Sequence, residues 1–301
     1  MGDVRNFDGQ FGCYSRQLDF LFYALARFYK LDERCGKNMN LTIYQVDAFT
    51  KQIFAGNPAA VCPLTEWLAD DVMQRIALEN NLSETAFFVK REDGTYEIRW
   101  FTPTIEIDLC GHATLGSAFV IFNLLGETES VINLHSHRSG NLSVEKQGDV
   151  LILDFPRYEV NEIETLPELV EAVGKTPQKM WETQGNMAVL LFETEAEIAS
   201  LKPDMSKLGE IPFDEVIVTA KGANADFVSR MFAPRIGIPE DPVTGAIHCS
   251  LIPFWAERLG KTELFARQIS ARGGELFCAL ENERVKIGGN AALYLKGEIY
   301  V

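Results

Sequence analysis

The nine residues Asp108-Leu109-Cys110-Gly111-His112-Ala113-Thr114-Leu115-Gly116 open the segment on which the predicted fold is centred. Residues 113–125 are apolar on nearly every side, and Gly126 ends the run. A helix that is apolar all round is a buried helix, so its first residues face either the core or a site. Cys110 and His112 are therefore candidate functional residues, although a single buried histidine is more often a satisfied core group.

Length and composition indicate a globular chain with more than one lobe. The 301 residues favour about two domains, and 47% hydrophobic with 24% charged residues is ordinary for a chain that buries a sizeable core. The formal net charge of -15 argues against a nucleic-acid or anionic-membrane partner, because both would be repelled. We therefore expect a small-molecule partner.

The cysteine pattern predicts neither a disulfide framework nor a zinc site, because the six cysteines lie far apart without a Cys-x-x-Cys pair. A reducing cytoplasm is the simplest location. His135 and His137 would share one face of a strand, but no nearby Asp, Glu or Cys completes a metal cluster. We therefore expect no metal.

Residues 1–38 fit poorly with the remainder of the chain and are interpreted as an N-terminal extension of unknown role. The aromatic run 18–29 is too short to span a bilayer, and the segment lacks the features of a signal peptide. Met39 is the expected start of the folded part.

From Asn40 onward, helices and short strands are mixed without strict alternation, which predicts an α+β fold with mixed sheets. One helix is expected from Glu66 to about Glu79, capped by Thr65. Another is expected from Pro242 toward Gly260, with Pro253 kinking or breaking it.

An internal repeat indicates two copies of one unit. The hexapeptide 56–61 recurs as 185–190, an offset of 129, and the segment 99–107 recurs as 230–238, an offset of 131. Each copy would be built around one buried helix. We expect lobe 1 to span 39–160, completed by the C-terminal strand 291–301, and lobe 2 to span 161–290.

The repeat places Cys110-Gly111-His112 and the segment 241–245 at equivalent helix N-termini, which can face each other across a cleft. Helix N-termini suit a bound carboxylate, and we expect this one to favour a neutral His112 imidazole. Two interpretations without a catalytic role remain open. Asp241 followed by Pro242 is an ordinary N-cap pair, and Glu84 could face solvent at the head of its strand.

Four blocks in order resemble the phenazine-biosynthesis isomerase (PhzF-like) family: Gly56–Ala59, Asn81–Phe87, Asp108–Gly116 and Glu240–Ala246. The resemblance runs from about Met39 to the C-terminus. It implies a diaminopimelate epimerase-like fold, in which two similar lobes each wrap a mixed sheet around a central buried helix.

The resemblance also implies proton transfer within a small carboxylate-bearing substrate, without a cofactor. The sequence leaves self-association open, and we expect a homodimer. Glu84 would be the acid/base, with His112 and Asp241 as supporting groups. The expected pocket-lining residues are Asn57, Ser83, Cys110, Gly111, Thr244 and Gly245.

Two alternatives remain at this point. The epimerases and racemases that share this architecture use one cysteine at each helix end, and Cys110 could be one of them, although Asp241 stands where the second would be. The chain could also be a non-catalytic protein that binds small acids or acts as a scaffold.

Overall fold

The computed structural model describes residues 39–301. The predicted extension 1–38, with Cys13 and Cys35, lies outside the described residues. The described part forms strands β1 (Asn40–Ala48), β2 (Asn57–Leu64), β3 (Glu84–Lys90), β4 (Tyr96–Phe101), β5 (Glu106–Ile107), β6 (Val131–Ser136), β7 (Gly140–Gln147), β8 (Val150–Pro156), β9 (Val160–Ile163), β10 (Lys179–Thr183), β11 (Met187–Leu191), β12 (Glu215–Lys221), β13 (Phe227–Ala233), β14 (Ile238–Asp241), β15 (Glu263–Gln268), β16 (Gly274–Glu281), β17 (Arg284–Gly289) and β18 (Ala291–Tyr300). Its α-helices are α1 (Asp70–Asn80), α2 (Gly111–Asn123), α3 (Pro167–Val173), α4 (Glu195–Ser200), α5 (Met205–Glu210) and α6 (His248–Leu259).

The strand pairings repeat, which confirms the predicted duplication. In the first copy β1 and β2 are antiparallel, β2 and β3 parallel, β3 and β4 antiparallel, and β4 and β6 parallel. The second copy repeats this order with β10, β11, β12, β13 and β15. The fold is the predicted α+β duplication with mixed sheets.

The two copies exchange their last strands. Strand β9, which follows β8, pairs with β10 at the start of the second copy, and β18 pairs with β1 at the start of the first. Strands β8 and β17 also pair with each other, with Leu153 opposite Ile287. On these pairings we propose 39–160 with 291–301 as lobe 1 and 161–290 as lobe 2. Residues Leu41–Ile299 form one compact unit.

Helix α2 is buried almost completely, as its apolar composition predicts. Its two hydroxyl side chains are satisfied by carbonyls one turn earlier, because Ser117 Oγ donates to the Ala113 carbonyl at 2.8 Å and Thr114 Oγ1 to the Cys110 carbonyl at 2.5 Å. The helix begins and ends two residues earlier than predicted. No helix in residues 39–301 is long and apolar enough to cross a membrane.

Helix α6 begins at His248, so its predicted start at Pro242 is wrong. Asp241 is the last residue of β14 and is not an N-cap. The reason is tertiary: its carboxylate bonds to Asn57 and Thr244, and the Thr244 N–H is taken by Gln268. Residues 242–247 consequently form a turn.

The helix does not break at Pro253, because α6 runs through that residue; the kink given as the other outcome stays a prediction. Proline removes the N–H that would bond to the carbonyl four residues earlier. That carbonyl belongs to Cys249, and it accepts the Tyr158 N–H at 2.9 Å instead. The helix therefore tolerates its proline without leaving this carbonyl unpaired.

Helix α1 begins at Asp70, four residues after the predicted start, and Thr65 does not cap it. The Trp67 indole N–H donates to Glu97 Oε2 on β4 at 2.6 Å. This bond holds the chain ahead of Asp70 against the sheet, in place of the predicted first turn.

The lobe 2 sheet has two apolar faces. Val216, Val218 and Phe232 pack in a cluster with helices α3–α5. Ile217 and Met231 face the other way, into the main core that contains α2 and α6. Alternate residues of β12 therefore face different cores.

Candidate active site

The start of α2 and the turn 242–247 touch through glycine backbones. A Cβ atom on Gly111 would lie 3.3 Å from the Gly245 Cα, and one on Gly245 would lie 3.4 Å from the Gly111 Cα. The first spacing is tighter than ordinary van der Waals contact and the second is at its lower limit, so the absence of a side chain at Gly111 permits the approach. Cys110 and His112 are thereby brought beside Asp241, the arrangement that the repeat predicts.

Glu84 and His112 face each other in a buried position. Glu84 is the first residue of β3 and is 7% exposed, while His112 in the first turn of α2 is 5% exposed. Nε2 of His112 lies 2.9 Å from Oε2 of Glu84. The contact is outside hydrogen-bond geometry, and neither atom has a hydrogen-bond partner among the described residues. An acidic and a basic group are thus close together, and neither facing atom is used in a hydrogen bond to another described residue.

Asn57 joins the two lobes. Its fully buried Nδ2 donates to the Val243 carbonyl at 2.9 Å and to Asp241 Oδ1 at 3.0 Å, and lies 3.2 Å from Nδ1 of His112. The turn before it requires glycine, because Gly56 has φ +65° and a Cβ there would lie 2.1 Å from the Ala48 carbonyl oxygen.

These contacts fix the proton on the His112 ring. The two oxygen acceptors take both hydrogens of the Asn57 amide, and the neutral Cys110 thiol beside Nδ1 can donate its S–H there, which suits an unprotonated Nδ1 in the neutral ring. A neutral imidazole then carries its proton on Nε2, and the charged ring carries one there as well. In both states the nitrogen that lies 2.9 Å from the Glu84 carboxyl group carries a hydrogen.

Asp241 is held from both sides. Oδ1 accepts from Asn57, and Oδ2 accepts from the Thr244 hydroxyl. Gln268 completes the set, because its Nε2 donates to the Asp241 main-chain carbonyl at 2.9 Å and to Thr244 Oγ1 at 3.2 Å. Since both carboxylate oxygens accept, this arrangement fits an ionised Asp241. Burial nevertheless raises the pKa of Asp241 above its usual value.

Cys110 is the N-cap residue of α2, and its Sγ lies 3.4 Å from Nδ1 of His112. Burial, with a smaller contribution from Glu84, raises the pKa of this thiol to about 11. Cys110 is therefore an uncharged thiol near neutral pH.

The charge of His112 differs from the expectation. Burial lowers the pKa of the imidazole, but Cys110 and Glu84 together raise it well above its usual value. The direction of this shift favours the charged ring and runs against the expected preference for a neutral one.

The donor atoms of Glu84, Cys110 and His112 all lie within 4.8 Å of one another, and zinc accepts these residue types. However, Cys110 approaches Nδ1 of the ring whereas Glu84 approaches Nε2. One imidazole cannot direct a single nitrogen toward both partners. The trio suits proton transfer better than metal binding, and the expected lack of a metal stays a prediction.

Two polar residues near these groups were missed. Gln268 lies at the end of β15, where a polar side chain gives no sign of a buried role. Glu215 is the first residue of β12, and its Oε2 is buried without a hydrogen-bond partner among residues 39–301. Applying the repeat offset of 131 to Glu84 would have found it. Ser83 lies half-buried just before β3, and its role in binding stays a prediction.

Two like copies around paired buried helices, with carboxyl and imidazole groups where the start of α2 meets the turn before α6, define a diaminopimelate epimerase-like fold. The family model for phenazine biosynthesis-like proteins (PhzC–PhzF) matches residues 46–297. The chain belongs to this PhzF family.

Known proteins agree with that assignment. An uncharacterised isomerase of Pseudomonas aeruginosa is 50% identical over 261 residues, covering 87% of this chain and 99% of that protein. A PhzF-family protein of Enterococcus faecalis has a solved structure with TM-score 0.84 and 47% identity, covering 87% and 100% of the two chains. A hydroxyproline epimerase from Agrobacterium vitis shares the fold alone, with TM-score 0.59 and 12% identity over 87% and 93%.

Proposed function

We propose that this protein is an isomerase that moves a proton between carbon atoms of a small carboxylate-bearing substrate, without a cofactor. The observation that carries the proposal is the buried pair of Glu84 and His112, whose facing atoms are 2.9 Å apart and not hydrogen-bonded. The Pseudomonas aeruginosa relative, which is named an isomerase, supports the reaction class.

Glu84 is the proposed base and acid. Its carboxylate removes a proton from a substrate C–H, and the electron pair of that bond moves into the adjacent π-system. The proton then passes from Glu84 to another carbon, a new C–H bond forms, and the carboxylate is restored. The Nε2–H of His112 stabilises the carboxylate before and after transfer. General acid–base catalysis of this kind contributes about 10²- to 10⁴-fold.

The substrate carboxylate is proposed to bind where the glycines meet. The N-terminus of α2 offers backbone N–H groups and partial positive charge. Asp241 acts through Asn57, which it orients toward the His112 ring. The proposed lining residues are Ser83, Cys110, Gly111, Thr244 and Gly245.

The alternative of a two-thiol epimerase is less well supported. Cys110 is a neutral thiol near neutral pH, and Asp241 occupies the opposite side of the site. A thiol base needs a substantial thiolate fraction. The described geometry therefore favours Glu84 over Cys110 as the base.

A ligand screen followed by solvent exchange tests the proposal. Small carboxylates are screened by thermal shift, where a ligand at 100 times its Kd adds about 2.7 kcal/mol of stability. Each ligand is then incubated with the protein in D₂O and followed by ¹H NMR. We expect one ligand to give an isomer that carries deuterium.

Two other outcomes would overturn the proposal. Binding with neither isomerisation nor exchange would favour a binding or scaffold protein. Inversion of an amino-acid stereocentre, lost in Cys110→Ala, would favour the epimerase.

We further propose a reducing cytoplasmic location and a homodimer. The four described cysteines are buried and free, which is compatible with a reducing environment: Cys62, Cys110, Cys249 and Cys278. Light scattering tests the proposed homodimer, for which the expected mass is twice 33.7 kDa.

A further inference from the structure

Glu215 occupies in lobe 2 the position that Glu84 occupies in lobe 1. Glu84 opens β3 and Glu215 opens β12. Each strand runs parallel to the preceding strand and antiparallel to the next, and the β3–β4 and β12–β13 registers differ by the repeat offset of 131 in both members. The duplication has therefore produced two carboxyl groups at equivalent strand starts.

Glu215 lies on the same sheet face as Asp241. Ile217 pairs with Met231, and Met231 pairs with Asp241, so these three side chains form one row across β12, β13 and β14. Glu215 is two residues before Ile217 and shares its face. Two strand spacings, about 10 Å, separate Ile217 and Asp241, the outer residues of this row.

The surroundings of Glu215 supply negative charge and little water. Its Oε2 is buried and has no hydrogen-bond partner among residues 39–301. The titratable groups that interact with it are Asp241 on β14, Asp214 beside it, and Tyr158 from the segment before β9. Arg235 pairs with Asp214 at 3.3 Å. Burial, then Asp241 and Asp214, raise the pKa of Glu215 to about 7.

We propose that Glu215 is a proton-holding carboxyl group whose ionisation is coupled to that of Asp241 across β13. The protonation state of Glu215 then sets whether lobe 2 places one or two negative charges beside the site. Asp241 accepts bonds at both oxygens and so keeps its charge. Protonated Glu215 leaves that single charge, whereas ionised Glu215 adds a second. Glu215 is a positioning residue, because it acts through Asp241.

The consequence for substrate rests on the proposed function. A second negative charge on this side of the site repels an anionic substrate, so its apparent affinity falls as Glu215 ionises. The coupling of the two carboxyls does not depend on the reaction and is tested without a substrate.

Carboxyl ¹³C NMR on protein labelled at glutamate tests the coupling. The Glu215 signal is assigned by its loss in Glu215→Gln, and Glu182→Gln, at an exposed position of β10, is the matched control. We expect the Glu215 signal to titrate near pH 7 and its midpoint to fall in Asp241→Asn. A midpoint near the ordinary glutamate value of about 4.3, or one that Asp241→Asn leaves unchanged, would overturn the proposal.

Thermal unfolding provides a second measurement if Asp241→Asn does not fold. The pKa of Glu215 is higher in the folded than in the unfolded chain, so the wild type loses stability as pH rises from about 4.3 to about 7. Glu215→Gln lacks this loss, and its Tm relative to wild type should rise between pH 5 and pH 8. A constant Tm difference would contradict a raised Glu215 pKa and with it the proposal. If the Glu215 signal titrates and Asp241→Asn lowers its midpoint while no carboxylate exchanges deuterium, the proposed function fails and the coupling stands.

Discussion

His112 takes its character from the groups at its two ring nitrogens. Nδ1 meets the Asn57 amide and the Cys110 thiol, while Nε2 points toward Glu84. The chemical behaviour of the ring therefore depends on residues that are 28 and 55 positions away in the sequence as much as on the helix that carries it.

Cys110 should react slowly with alkylating reagents. With a pKa of about 11, its thiolate fraction at pH 7 is about 300-fold below that of an ordinary cysteine. Iodoacetamide labelling with peptide mass mapping should show at least about 100-fold slower modification of Cys110 in the native protein than in urea. Rapid modification of Cys110 in the native protein would instead support Cys110 as a catalytic base.

Replacing Asn57 should destabilise the fold. Asn57→Ala leaves the Val243 carbonyl and Asp241 Oδ1 without this donor, and each buried unsatisfied group costs about 1–3 kcal/mol. Urea unfolding should show a loss of at least about 2 kcal/mol. The control Asn141→Ala, at an exposed strand position, should change stability by less than about 0.5 kcal/mol. Equal effects of the two variants would mean that Asn57 does not join the lobes.

The sequence indicated Glu84, His112 and Asp241 because they lie in recognisable motifs, and the structure brings them together. It did not indicate Gln268, because the bonds of that side chain depend on the turn 242–247 folding against β15. Glu215 was accessible in principle, since the repeat maps Glu84 onto it. The catalytic roles of these residues stay predictions.

At the scale of elements, the helices were predicted better than their ends. Apolar composition identified α2, because that pattern reports burial directly. The starts of α1 and α6 were missed because Trp67 and Asp241 bond to distant strands and turns instead of capping. Pro253 likewise sits within α6 because Tyr158 satisfies the freed carbonyl, a contact that local sequence does not report.

The contact between the two glycine segments should be sensitive to one methyl group. Gly111→Ala places a Cβ 3.3 Å from the Gly245 Cα and 3.4 Å from Phe155 Cε2, and overpacking of this kind costs about 1–3 kcal/mol. We expect this loss in urea unfolding. Gly209→Ala in α5 meets no atom within 4 Å, so this control should gain up to about 1 kcal/mol. Similar changes in both would contradict a close glycine contact.

For the whole molecule, the exchanged strands make each lobe depend on the other. Strand β1 pairs with β18 from the C-terminus, and β8 pairs with β17. The sequence predicts that strand 291–301 completes lobe 1, but it does not indicate the pairing of β9 with β10, because strand pairing is set by the assembled sheets.

The isolated fragment 39–160 should therefore not fold alone. It would expose the edges of β1 and β8 that these strands cover, and unpaired edges favour aggregation. Circular dichroism in urea should show no cooperative transition for the fragment, whereas 39–301 should show one. Cooperative unfolding of the monomeric fragment would show that the lobes are independent.

The proton-transfer role of Glu84 is the central claim, and one comparison tests it most directly. A carboxylate ligand from the thermal-shift screen is incubated in D₂O with wild type, Glu84→Gln and the exposed control Glu92→Gln, and deuterium entry is followed by ¹H NMR. We predict that Glu84→Gln still binds the ligand but exchanges at least about 100-fold more slowly, while Glu92→Gln matches wild type. Exchange by Glu84→Gln at the wild-type rate would contradict the assignment of Glu84 as the acid and base.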